Sequence, residues 1–165
     1  VYQLQIPTEP EQLKVALQIL RDWAGGVSFD PEEIEKERGV VLDEWRRSLG
    51  AGQRIQDRLI PFQFNHRRYA ERLPIGTEAS LKGFKPEQLT RFYRDWYRPD
   101  LMTLIVVGDV DVDAIEAQIK AQFGDLKNPE TPRARPSVSI DTYTSQISEV
   151  FIDPELPSIA LQLSE

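Results

Sequence analysis

The sequence predicts an α+β fold, on three observations. Apolar residues recur at helical spacing in several capped stretches. A short alternating run stands at residues 1–6. A near-continuous apolar run at Leu101–Val107, with two more strand-like runs near the end, supplies the β component.

Residues 1–7 read as a strand closed by Pro7. Thr8 and Glu11 then have the spacing of a capping box. Leu13, Ala16, Leu17, Leu20 and Trp23 carry a helix that ends at Gly25-Gly26. Asp30-Pro31-Glu32-Glu33 opens a second helix, with the proline at the first helical position and acids at the positive end of the dipole. Arg46 and Arg47 sit near its negative end, and Gly50 stops it after about Leu49. Residues 52–60 suggest a shorter helix ended by Pro61, and 61–85 an irregular connection with short helical pieces. Pro86 opens a helix through Trp96. Leu101–Val107 reads as a buried strand, broken by Gly108-Asp109. Residues 112–123 form another helix. Residues 147–152 and 159–163 read as strands. The expected organisation is the C-terminal portion of an α+β domain over 1–126, a Pro-rich linker over 127–146 and the first strands of a following domain over 147–165.

Composition narrows the function. The 165 residues carry 20 Lys and Arg against 27 Asp and Glu, a formal net charge of −7. Such a chain repels nucleic acid and anionic lipid at long range, so neither is expected as a partner. With no cysteine, thiolate chemistry and disulfides are excluded. No run approaches the roughly 18 apolar residues of a membrane span. The chain starts at Val1 on a strand-like pattern, and both ends read as lying inside a longer protein.

The most informative stretch is Glu35-Lys36-Glu37-Arg38-Gly39-Val40-Val41-Leu42-Asp43-Glu44-Trp45. A helix turns about 100° per residue, so Glu37 and Glu44 return to within about 20° of each other, roughly 10 Å apart along the axis. With Ile34, Val41 and Trp45 as the apolar stripe, both glutamates are expected at its edge. A carboxylate there needs a partner. A metal ion is one, since zinc accepts a carboxylate oxygen beside two histidines. An arginine is the other, in an ordinary surface ion pair. His66 reads as a loop residue. Phe92, Trp96 and Tyr97 read as helix-to-core packing, the alternative being a peptide-binding patch. Gly108-Asp109 lacks any phosphate-loop pattern and reads as a turn.

Glu37-Arg38-Gly39-Val40-Val41-Leu42-Asp43-Glu44 resembles the third-ligand helix of the pitrilysin/insulinase peptidases, inverted zinc enzymes whose first motif is H-x-x-E-H. Leu20–Ala24, Phe29–Glu37, Arg72–Thr77, Phe92–Met102 and Val106–Val110 resemble the same family in order, over about residues 8–125. The resemblance implies helices on one face of a mainly antiparallel sheet, incomplete in this chain. It implies Glu44 as a zinc ligand, Glu37 as the carboxylate supporting the site from behind, Zn2+ in the parent enzyme, and a peptide or small-protein substrate. It further implies a periplasmic setting, like that of bacterial members, and association with the rest of the parent chain or with other copies. The departure is that His66 is the sole histidine and no H-x-x-E-H is present. By family order that motif would precede Val1, so this chain alone is expected neither to hold zinc tightly nor to cleave peptides. The alternatives are a non-catalytic assembly subunit of the same family and, more remotely, a stand-alone binding module.

Overall fold

The computed structural model describes residues 1–139 and 143–163. Among them six α-helices appear in order: α1 (Pro10–Gly25), α2 (Pro31–Ser48), α3 (Ala51–Gln63), α4 (Glu78–Gly83), α5 (Pro86–Trp96) and α6 (Val112–Phe123). Short 3-10 turns lie at Arg68–Glu71 and Pro99–Leu101. No β-strand is present among the described residues, so the expected α+β fold is corrected to an all-helical one. The reason is that a strand needs a second backbone to receive its N–H and C=O groups. Leu101–Val107 has the composition of a buried strand but no partner among the described residues. Ile105 and Val107 are 76% and 91% exposed. The runs at 147–152 and 159–163 are likewise irregular, with Ile159 and Leu161 fully open to solvent. Parts of the expected linker (140–142) and of the last segment (164–165) lie outside the described residues.

The chain divides into two compact units. The first comprises Val1–Pro31 and Lys85–Ala134. Its core is the seam of α1 against α6, where Ala16, Leu17 and Ile115 are buried. Arg21 of α1 fastens the end of α6: its Nε donates to the Gln122 carbonyl at 2.9 Å, and Nη2 pairs with Asp125 at 3.0 Å. An aromatic cluster sits at the end of α5. Tyr93 stacks on Tyr97 with ring centroids 4.5 Å apart, and Phe29 meets Tyr93 edge-on at 5.2 Å. The Tyr93 hydroxyl donates to the Trp23 carbonyl at 2.7 Å, and the Tyr2 and Tyr97 hydroxyls share a short hydrogen bond. These contacts settle Phe92, Trp96 and Tyr97 differently: Tyr97 packs in the cluster, Trp96 lies beside the guanidiniums of Arg98 and Arg133, and Phe92 is exposed. The buried Arg98 donates to the Arg133 carbonyl at 2.9 Å and lies 3.1 Å from Asp100, which offsets part of the cost of its desolvation, while its Nε makes no hydrogen bond among the described residues.

The second unit comprises Glu32–Phe84 and Arg135–Glu165. The helix α3 passes through Pro61 and ends two residues later, past the stop expected at the proline. Pro61 removes an amide donor, but its carbonyl is used: the His66 amide donates to it at 2.7 Å. The segment after residue 143 lies along α3. The Tyr143 hydroxyl donates to the Phe62 carbonyl at 2.8 Å, and Phe62 meets Phe151 edge-on at 6.0 Å. Arg54 holds Asp153 through two bonds, 2.6 Å and 2.9 Å, and also takes Glu155 at 2.5 Å. The helix α4 carries a full capping box, with Thr77 and Ser80 exchanging side-chain and backbone bonds. The box expected at Thr8 and Glu11 does not form, because Glu9 is the N-cap and Pro10 takes the first helical position.

Candidate functional site

The candidate metal-binding residues stand on α2, and one arginine sets which side of that helix faces inward. Arg38 donates to the Leu81 carbonyl and, at 2.9 Å, to the Phe84 carbonyl, with its guanidinium 3.7 Å above the Phe84 ring. Its other partner is Glu35, at 2.9 Å. The Arg38 hydrogen bond holds the Glu35 carboxyl below its ordinary value. Ile34, Val41, Leu42 and Trp45 are half-buried on this side.

Glu37 and Glu44 project elsewhere. From Arg38 they lie roughly 100° and 120° around the helix, between Val41 and Val40. Val40 is 58% exposed and both glutamates are exposed. Val41, half-buried in the stripe, and Val40, exposed, lie about equally far around the helix from the two glutamates, which stand between the apolar stripe and open solvent.

The salt bridges of α2 single out the same two residues. Glu33 pairs with Lys36, Glu35 with Arg38 and Asp43 with Arg46, each three residues apart. Glu37 and Glu44 form no ion pair among the described residues, although Arg47 stands one turn beyond Glu44. The arginine-partner reading, open on spacing alone, is not what the structure adopts. Two unpaired carboxylates seven residues apart can each give an oxygen to a cation, or one can bind while the other accepts a hydrogen bond from a ligand.

The described residues do not by themselves fit zinc. No group of three or more His, Cys, Asp or Glu is placed to hold a metal among them. Glu44 offers one donor where hydrolytic sites use three. His66 sits in the loop after α3 with a left-handed backbone (φ 54°), next to Asn65 (φ 47°). It is exposed and lines a depression of about 610 Å³ together with Arg67, Arg68, Glu71, Arg72 and Ser137–Ser139. The sequence reading passed over this basic cluster. Its signal was the run His66-Arg67-Arg68-Tyr69-Ala70-Glu71-Arg72, which holds three arginines in an acidic chain. Among the described residues no helix is long and apolar enough to cross a membrane.

Comparison with known proteins agrees with the motif reading. Residues 83–164 match the family model described as the Peptidase M16 inactive domain. The chain is 30% identical to a "Zinc protease PQQL-like" of Arabidopsis thaliana over 99% of its own length and 17% of that protein's. It is 37% identical to the "Probable zinc protease PqqL" of Escherichia coli over 76% of its length, covering 14% of that protein. The solved first half of the periplasmic protease PqqL from Escherichia coli superposes with a TM-score of 0.74 at 34% identity, over 82% of this chain and 29% of that one. The chain thus spans about a sixth of the length of these curated relatives. With the ordered motifs around Glu44, these matches establish that the chain belongs to the pitrilysin/insulinase (M16) family of zinc peptidases.

Proposed function

We propose that this chain is part of a zinc metalloendopeptidase that hydrolyses peptide bonds, and that Glu44 is its third zinc ligand. The observation that carries the reading is the pair of exposed carboxylates, Glu37 and Glu44, left without cationic partners among the described residues on a helix whose neighbouring acids are ion-paired. The remaining ligands would come from an H-x-x-E-H segment elsewhere in the parent protein. Zinc, when bound, lowers the pKa of a coordinated water and polarises the scissile carbonyl. Glu44 contributes one anionic oxygen to the metal and offsets part of its charge. Glu37, two turns away on the same side, holds a ligand in orientation through a hydrogen bond. On this reading residues 1–126 belong to the peptidase part, and the Pro-rich stretch 127–146 leads to a domain that opens at 147. The substrate is a peptide or small protein, and the setting is periplasmic, like that of the solved protease PqqL.

The test is made in the full-length parent protein. Glu44→Gln should lose most of the bound zinc by metal analysis and nearly all peptide hydrolysis. Glu37→Gln should keep more metal while activity falls ~10–100-fold. Wild-type activity in Glu44→Gln would overturn the assignment. A second reading, a structural or assembly role, is favoured for residues 83–164 by their match to the family's inactive domain. In that case substitutions confined to residues 83–164 would change assembly while sparing zinc content.

A further inference from the structure

We propose that residues 143–155 form a strap that opens and closes over α3 as one unit, with Arg54 as its latch. The seat is one face of that helix. Arg54, Arg58 and Phe62 stand four residues apart, so each lies about one turn beyond the last. Phe62 receives the rings of Tyr143 and Phe151, with centroids 5.8 Å and 6.0 Å away. Arg58 lies over the Phe151 ring, 5.1 Å from its centroid. Arg54 takes both Asp153 and Glu155. Along the strap, Phe151 and Asp153 are partly covered, while Ile152 and Pro154 are exposed. That alternation is how an extended segment lies on a surface. Phe151 stands two residues before Asp153 and shares Phe62 with Tyr143, so the latch and the ring contacts hold each other in place.

The strap is held loosely enough to lift. Among the described residues, every bond from it to α3 uses a side chain, and none joins backbone to backbone. It buries little of itself, since Val150 and Ile152 are 75% and 77% exposed. The latch faces water: the Arg54 side chain is half-exposed, and exposed ion pairs are weak and screened by salt. The clasp on the strap is nonetheless built in advance. The Asp153 carboxylate accepts the Glu155 amide at 3.0 Å, and the Asp153 carbonyl accepts the Leu156 amide at 3.2 Å. This is a turn closed by its own aspartate, with Pro154 at its first corner fixing the backbone. It aims two carboxylates at one guanidinium. Being local, the turn persists when the strap lifts, so the strap recloses with its clasp already formed. Opening bares Phe62 on α3, and closing covers it again.

The experiment follows the 165-residue chain by nuclear Overhauser contacts of the Phe62 ring with the Tyr143 and Phe151 rings. In parallel it follows native-state chymotryptic cleavage after Phe151, relative to a synthetic peptide of residues 147–155. Taking sodium chloride to ~1 M, where the screening length is about 3 Å, should weaken both ring contacts together and speed relative cleavage. Arg54→Gln should do the same at low salt, with cleavage ~3–10-fold faster, the range that one or two exposed ion pairs supply. Asp153→Asn keeps the turn, since asparagine accepts the same amide bond, and should give part of that effect because Glu155 still holds Arg54. Arg54→Gln/Asp153→Asn should be no faster than Arg54→Gln alone, because the pair is already broken. Arg54→Lys, which keeps the charge, should fall between wild type and Arg54→Gln. Arg46→Gln, on α2, should behave as wild type. Unchanged ring contacts and cleavage in Arg54→Gln overturn the proposal, as do additive effects of the two single variants. So does release of Tyr143 and Phe151 at different salt concentrations, or equal opening in Arg46→Gln. The wild-type salt titration decides the matter even if the variants do not fold. Neither zinc nor hydrolysis by this protein enters the readout, so its failure leaves the Glu44 assignment untouched.

Discussion

Arg38 shows how one side chain orients a helix. Its bonds to the Leu81 and Phe84 carbonyls and its stacking on Phe84 turn the Arg38 side of α2 inward. Glu37 and Glu44 are left facing solvent as a consequence. Lysine keeps the charge but offers no planar fork, so it can neither bridge two carbonyls nor lie flat on the ring. Arg38→Lys should cost roughly 1–2 kcal/mol, typical of losing charge-assisted hydrogen bonds. Urea denaturation compared with wild type measures it, and an unchanged midpoint would show that the clamp contributes nothing. The same residue explains a limit of the sequence reading. The spacing of Glu37 and Glu44 and the stripe beside them were legible, but the anchor that covers the other side of α2 was not. Val41 and Val40 are adjacent apolar residues, and only the distant anchor at residues 81–84 decides which of them turns inward.

At the level of elements, α2 contains a glycine with open space around it among the described residues. A Cβ placed on Gly39 would meet no atom within 4 Å. Glycine in a helix interior costs about 0.5–1 kcal/mol relative to alanine. Gly39→Ala should therefore raise the stability of the 165-residue chain by about that amount, read as a higher melting temperature and increased helical circular dichroism. A lower melting temperature would mean that a close neighbour already occupies this side of α2. Helices were the most legible part of the sequence. The boundaries of α2, α5 and α6 follow from Pro31, Pro86 and Asp111 at their starts and from apolar spacing within them. Helical hydrogen bonds are local, so local sequence suffices to place them. Strands depend on a second chain segment, and an apolar run such as Leu101–Val107 records only a preference for burial. For the basic depression, the arginines are contiguous and readable, but Ser137–Ser139 arrive from far along the chain.

Across the whole molecule, the two units are held by groups that titrate at opposite ends of the pH scale. In the second unit the Arg54 hydrogen bond pulls the Asp153 carboxyl from an ordinary 3.8 down to about 2. Its depressed pKa means that the stabilisation is present above about pH 4 and disappears as pH falls towards 2. In the first unit burial, followed by the Tyr2 hydrogen bond, pushes the Tyr97 hydroxyl from 10.0 up to about 12. Its raised pKa means that the stabilisation is full below about pH 10 and is lost as pH rises through about 12. Ring resonances of Phe151 should therefore change first in acid, and those of Tyr2 and Tyr97 first in alkali. Simultaneous change of both sets at either extreme would refute independent titration.

The open run Leu101–Val107 bears on how the protein behaves in concentrated solution. Leu-Met-Thr-Leu-Ile-Val-Val contains no charge, no proline and no glycine, and three of its residues are β-branched aliphatics. That is the composition of segments that stack between molecules into cross-β assemblies. Asp109 stands just past its end, where a charged side chain opposes the stacking of like segments.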